Sequence, residues 1–290
     1  MSLGILTNVA ATYAENNLNQ TQNSLQTVLQ QLSSGSRINS GADDAAGLSV
    51  SDGLAANEAA LTQSAQNAQN GVGLLQTADG ALSQVTNLLD RATTLATEAS
   101  NGGLTTAQST AADTEFQSIV TEIGNIGSNT NFNSTNVFSG TATNFVVSDG
   151  TTGGTTTIAA TTGALSKTSV GLTVTDTAGV VTTAAGEDLS TSNLATAAAA
   201  STALGKITTA IADVSAQRGS LGASINQLNA AANVASSEEV NLSSAQSSIL
   251  STNYGQATSD LAKFQVLSQT GISALAQANS VQQEILKLLQ

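Results

Sequence analysis

Apolar residues along the chain recur at alternating steps of three and four over long stretches. In the C-terminal half the series runs Leu204, Ile207, Ile211, Val214, Arg218, Leu221, Ile225, Leu228, Ala232, Ala235, Glu239, Leu242, Gln246, Ile249. Only Arg218, Glu239 and Gln246 interrupt it. A heptad pattern of that length predicts one unbroken helix with a single apolar seam. At 1.5 Å per residue, a helix over 204–249 is about 69 Å long. A second seam runs through Leu61, Ala65, Ala68, Val72 and Leu75 and continues through Ala78, Leu82, Val85, Leu89 and Ala92. Its phase slips once near Leu75, which overwinds a supercoil locally. Asn101-Gly102-Gly103 ends that helix by permitting left-handed backbone. Phe116, Ile119, Ile123 and Ile126 mark a shorter helix after it.

Between these helical parts the pattern changes period. Residues 139–189 are rich in Thr and Gly, and NFVVSD, TTTIAAT, SVGLTVTD and AGVVTTA group β-branched residues between glycine-containing turns. They predict a small set of hairpins. The termini are helical again: Leu18, Leu25, Val28, Leu29 and Leu32 form one stripe, and Val281, Ile285, Leu286, Leu288 and Leu289 another. Each carries more apolar residues than one partner helix covers. A self-contained pair and burial by another molecule both remain open. The expected fold is mainly α: a long antiparallel helical coiled-coil rod made by the N- and C-terminal parts, with a small β-hairpin insertion.

Composition supports this reading and excludes several functions. The chain of 290 residues has 2% aromatic residues and no Trp, so small aliphatic side chains must pack closely approaching helices. It has no Pro, where average usage of about 5% predicts roughly 14, so long helices meet no built-in break. With neither His nor Cys, zinc sites, thiol nucleophiles, imidazole bases and disulfides are excluded. The net charge is −13 and the seven basic residues are scattered, which argues against nucleic acid and anionic membranes as partners. No run of 18 apolar residues suits a membrane span, and MSLGILTNVAATYAEN lacks the layout of a secretory signal peptide.

Few residues suggest chemistry. Glu238-Glu239 and Glu187-Asp188 read as solvated faces or helix starts, and SDGTTGGTT lacks the Lys of a phosphate loop. No enzyme, cofactor or metal is expected. Arg218 on the seam either pairs with a carboxylate, with Asp213 the local candidate, or extends to solvent. The joint SSGSRINSGADDAAGLSVSDGL is distinctive, placing Arg37, Asp43 and Asp44 among Gly35, Gly41 and Gly47 between two helices. Asp43 or Asp44 is a candidate cap for the following helix.

Four stretches resemble the bacterial flagellins: LSSGSRINSGADDAAGLSV, NLLDRATTLATEASNGG, NTNFNSTNVFSG and QTGISALAQANSVQQEILKLLQ. They fall in family order over about residues 1–140 and 195–290. The resemblance implies an extracellular filament subunit exported by the flagellar type III apparatus, with an export chaperone and a filament cap as partners. It implies an inner terminal coiled-coil domain at 1–42 and 255–290, and a helical rod domain at 43–138 and 190–254. The hairpin insert at 139–189 then belongs to the rod or is a vestigial outer domain. Expected subunit-interface residues are Leu18, Leu25, Leu29, Leu32, Arg37, Asp43, Asp44, Phe264, Leu275, Val281, Ile285 and Leu288.

Flagellins of several bacteria are bound by the innate receptor TLR5 on the long-helix face. Arg91, Leu95 and Glu115 match its contact positions, and Arg218 and Asn226 match the partner helix, whereas Thr94 and Ile119 depart from responsive members. Gln282, where the family commonly has Pro, and Ser248 and Ser251, where charged residues are common, depart as well. A hook–filament junction protein and a secreted coiled-coil binding or translocator protein are the alternatives.

Overall fold

The computed structural model describes residues 8–148, 154–177 and 180–288, and for side chains excludes 173–183, 282 and 284–290. The order is α1 (Val9–Ser34), α2 (Ala45–Ser100), α3 (Thr106–Asn129), β1 (Asn131–Phe132), β2 (Thr135–Asn136), β3 (Ala142–Ser148), β4 (Thr155–Thr161), β5 (Val170–Thr177), β6 (Val180–Glu187), α4 (Ala197–Leu250) and α5 (Tyr254–Leu288). Helix, hairpin insert, helix is the layout that the periodicities predict. The small hairpin β1–β2 was not among the expected strands. It turns on Asn133 and Ser134, both at positive φ (49° and 62°), as a tight two-residue hairpin requires. The chain forms two compact units, one from residues 1–56 with 241–290 and one from 57–240.

The second unit holds most of the buried apolar residues. In α2, Leu61, Leu75, Leu82, Val85 and Leu89 are fully buried, and in α4 so are Ile207, Val214 and Leu228, with Leu221 nearly so. The intervening seam positions Leu204, Ile211 and Ile225 are half-buried, so the two faces of the α4 heptad are covered unequally. Helix α3 starts on a capping box. The Thr105 Oγ1 accepts from Gln108 N, while the Gln108 side chain accepts from Thr105 N at 2.8 Å. From there α3 contributes Phe116, Val120 and Ile123 to the same core.

Arg218 finds its partner on another helix. Its Nε donates to Asp79 Oδ1 at 2.7 Å, so the local candidate Asp213 is replaced by a residue of α2. The two side chains are 38% and 40% exposed, so solvent limits the pair to about 1 kcal/mol or less. Its geometry, a charge on the seam meeting one charge across it, favours a single register of α2 against α4. Asp213 is itself buried, close behind β5.

The hairpins β3–β4 and β5–β6 are antiparallel pairs with registers Ala142↔Thr161 and Val170↔Glu187. They are seated on the helices of their own unit. Asn67 Nδ2 donates to Val146 O at 3.1 Å, and Ser148 N donates to Ser64 Oγ at 2.7 Å. The buried Gln217 amide of α4 donates to Thr162 O. Gly171, at φ +81°, passes so close to α4 that an added Cβ would lie 2.6 Å from Val214 N. A side chain there would push strand and helix apart.

Candidate assembly surface and helix joint

In the first unit, α1 and α5 pack antiparallel. Asn8 caps α1, its Oδ1 accepting from Ala11 N at 3.0 Å, while its Nδ2 donates to Ala278 O at 3.0 Å. Covered positions of α1 include Ala11, Ala14, Leu18, Thr21, Leu25, Val28 and Leu32, flanked by Ser24 and Gln31; those of α5 include Ala257, Leu261, Phe264, Ser268, Gly271, Leu275 and Ala278, flanked by Asp260 and Ser280. Both step by three and four, so each helix lends one heptad stripe to the contact. The α5 stripe is absent from the apolar reading of the sequence because Ser268 and Gly271 occupy two of its positions. Gly271 is small enough to bring α5 close, since an added Cβ would sit 3.3 Å from Leu18 Cδ1.

This pairing sorts the expected interface residues. Leu18, Leu25, Leu32, Phe264 and Leu275 are half-buried along the stripes within the chain. Leu29 is 48% exposed and Val281 is also exposed. Ile285 and Leu288 fall outside the described side chains. The same pair of helices exposes Val9, Tyr13, Val266 (65%), Leu267 and Ile272. Val28, Ile38 and Ala257 are the buried apolar residues of this unit among the described ones. Two helices have only one mutual face, so a second apolar face stays in water.

The joint between α1 and α2 satisfies the helix ends that meet there. Gly35 takes φ +72° as the left-handed cap of α1, and its N–H donates to Gln31 O at 2.9 Å. Ser36 pairs with Ser251 as a short antiparallel bridge. Arg37 N donates to Leu250 O at 2.6 Å and Arg37 Nη2 to Ile249 O at 2.9 Å. The guanidinium thus sits at the C-terminal end of α4, where free carbonyls and the helix dipole favour a cation.

Asp43 Oδ2 accepts from Asn39 N at 3.0 Å, from Ser40 N at 2.8 Å and from Ser40 Oγ at 3.1 Å. The Asn39 backbone bond first, then those from Ser40, hold its carboxyl below the ordinary aspartate range. Asp44 Oδ1 accepts from Gly47 N at 2.8 Å and caps α2. All three charged residues therefore bond within their own chain.

Of the glycines here, only Gly35 uses positive φ. Gly47 answers to crowding instead, because an added Cβ would lie 2.4 Å from Asp44 Oδ2 and 2.8 Å from Ile38 Cδ1. Gly41 has room for one.

The receptor-matched positions divide similarly. Arg91 and Glu115 are exposed and form a two-pronged pair, with Nε to Oε1 at 2.7 Å and Nη2 to Oε2 at 3.0 Å. The hydrogen bond from Arg91 lowers the Glu115 carboxyl, and that to Glu115 raises the guanidinium. Leu95 is 4% exposed and packs in the core, so its side chain presents no surface.

Among the described residues no group of three or more metal-binding side chains converges, and no helix is long and apolar enough to cross a membrane.

Residues 5–143 match the family described as the bacterial flagellin N-terminal helical region, and residues 204–289 match the bacterial flagellin C-terminal helical region. Flagellin 1 of Proteus mirabilis is 37% identical over 151 residues, which is 52% of this chain and 41% of that longer protein. The flagellin of Halalkalibacterium halodurans is 31% identical over 282 residues, 97% of this chain and 98% of the relative. The flagellar filament 30.7 kDa core protein of Treponema maltophilum is 30% identical, again over 97% and 98%. With both helical regions matched and a relative aligned from end to end, the chain belongs to the bacterial flagellins, structural subunits of the extracellular flagellar filament.

Proposed function

We propose that the uncovered apolar face of the α1–α5 pair is the surface through which copies of this chain pack in the filament. The joint at 35–44 fixes α1 against the end of α4 so that this face is held ready. One observation carries the reading. Among the described residues, nine of the twelve exposed large hydrophobic residues belong to the first unit, eight of them to α1 and α5. Patches of that kind mark interaction surfaces, and burial of each such side chain in an assembly contributes about 1 kcal/mol or more.

Leu29→Asp with Val266→Asp tests it. The monomer is expected to keep its helical circular dichroism, because both positions face water, while electron microscopy shows no filaments. Filaments of normal length from the double variant would remove this face from the assembly.

The export chaperone, the filament cap and TLR5 enter as partners by family membership. Of the receptor-matched set, Leu95 is out of reach, whereas the Arg91–Glu115 pair is exposed, as is Asn226 on α4. Arg91→Ala should therefore cut TLR5 signalling by the monomer with little change in its stability. Equal signalling by the variant and the parent would exclude the pair from recognition.

A further inference from the structure

We infer that Asn101 is a site of spontaneous, age-dependent deamidation. The chain has two Asn-Gly steps, Asn70-Gly71 and Asn101-Gly102, and the fold places them in opposite circumstances. Asn70-Gly71 lies in the interior of α2, where the Gly71 N–H is committed to the helical ladder and the backbone dihedrals are fixed. Asn101-Gly102 lies just past the end of α2. Residues 101–103 are all exposed, Gly102 takes φ +67°, and a Cβ added at Gly102 or Gly103 would meet nothing within 4 Å. The Asn101 N–H reaches Glu98 O at 3.3 Å. Among the described residues, neither the Gly102 N–H nor the Asn101 side-chain amide has a hydrogen-bond partner.

The reaction needs only water. The Gly102 backbone nitrogen attacks Asn101 Cγ and loses its proton, the Cγ–Nδ2 bond breaks, and ammonia leaves. The resulting five-membered succinimide is opened by one water at either carbonyl, giving aspartate or isoaspartate. Glycine favours ring closure because no side chain shields its nitrogen and its backbone reaches conformations closed to other residues.

Each event adds one negative charge to a chain already at −13. It does so at the C-terminal end of α2, close to Glu98, where the helix dipole disfavours an anion. Older subunits of the extracellular filament accordingly carry more of this acidic form than newly added ones.

Incubation of the full-length protein at mildly alkaline pH, followed by peptide mass spectrometry and isoaspartate methyltransferase labelling, tests the inference. Asn101 should convert more than about tenfold faster than Asn70, since Asn70 reacts only when α2 opens locally. In urea the two rates should converge, and Asn101→Gln should remove most of the isoaspartate signal from the folded protein. Comparable conversion at Asn70 and Asn101 in the folded state would overturn the inference. So would isoaspartate accumulating mainly at other residues, a rate difference that persists unchanged in urea, or an undiminished signal in Asn101→Gln.

Discussion

Leu221→Ala or Leu228→Ala is expected to lower the stability of the monomer by about 2–5 kcal/mol. Both side chains sit on the α4 seam with essentially no exposure, and both belong to the continuous core that α2, α3 and the hairpins share. Truncation removes their transfer energy and leaves a cavity, because helices carrying seams on both sides of the gap cannot collapse into it independently. The loss corresponds to a drop of roughly 4–20 °C in melting temperature for a unit of this size. Ile225, on the same seam between them but only half-buried, is the internal comparison, and Ile225→Ala should cost clearly less. Thermal and denaturant unfolding followed by circular dichroism measures all three. A loss below about 0.5 kcal/mol at both leucines would mean that α4 does not pack through this seam.

Removing residues 1–34 and 254–290 together is expected to abolish filaments and leave a folded, soluble protein. The deleted helices hold Val28 and Ala257 as their buried apolar residues among those described, whereas the core of residues 57–240 stays intact. Helicity per residue should therefore change little, and the loss of Leu221 or Leu228 should destabilise the trimmed chain about as much as the full one. Sedimentation and electron microscopy should show monomers under conditions that polymerise the parent. Two results would contradict this: filaments from the trimmed chain, or loss of its cooperative unfolding transition. The first would move assembly to the second unit. The second would show that residues 57–240 depend on the terminal helices to fold.

The helices and their seams were legible in the sequence because burial on one side of a helix imposes a period, and this chain contains no Pro to interrupt it. Leu61 through Ala92 and Leu204 through Ala235 read directly as the faces that pack, and the Thr-rich stretch before α4 reads as hairpins for the same reason at a period of two. The α5 stripe was missed because a helix pair of low burial tolerates Ser268 and Gly271, which carry no apolar signal. The two-residue strands of β1–β2 are too short to show any period at all.

A period says which face of an element is covered. It does not say by what. Only the tertiary structure gave Arg218 its partner Asp79, 139 residues away in the chain, turned Arg37 onto the last carbonyls of α4, and made Gly47 necessary through the crowding of Asp44 and Ile38. The same limit explains why Leu95 looks available beside Arg91 in the sequence, yet lies under the core in the fold. It also explains why the apolar stripes of both termini could be counted but not divided. Packing of α1 on α5 assigns Leu18 and Leu275 to the chain's own contact and leaves Leu29 and Val266 in water, because a helix offers its neighbour one face and each of these carries two.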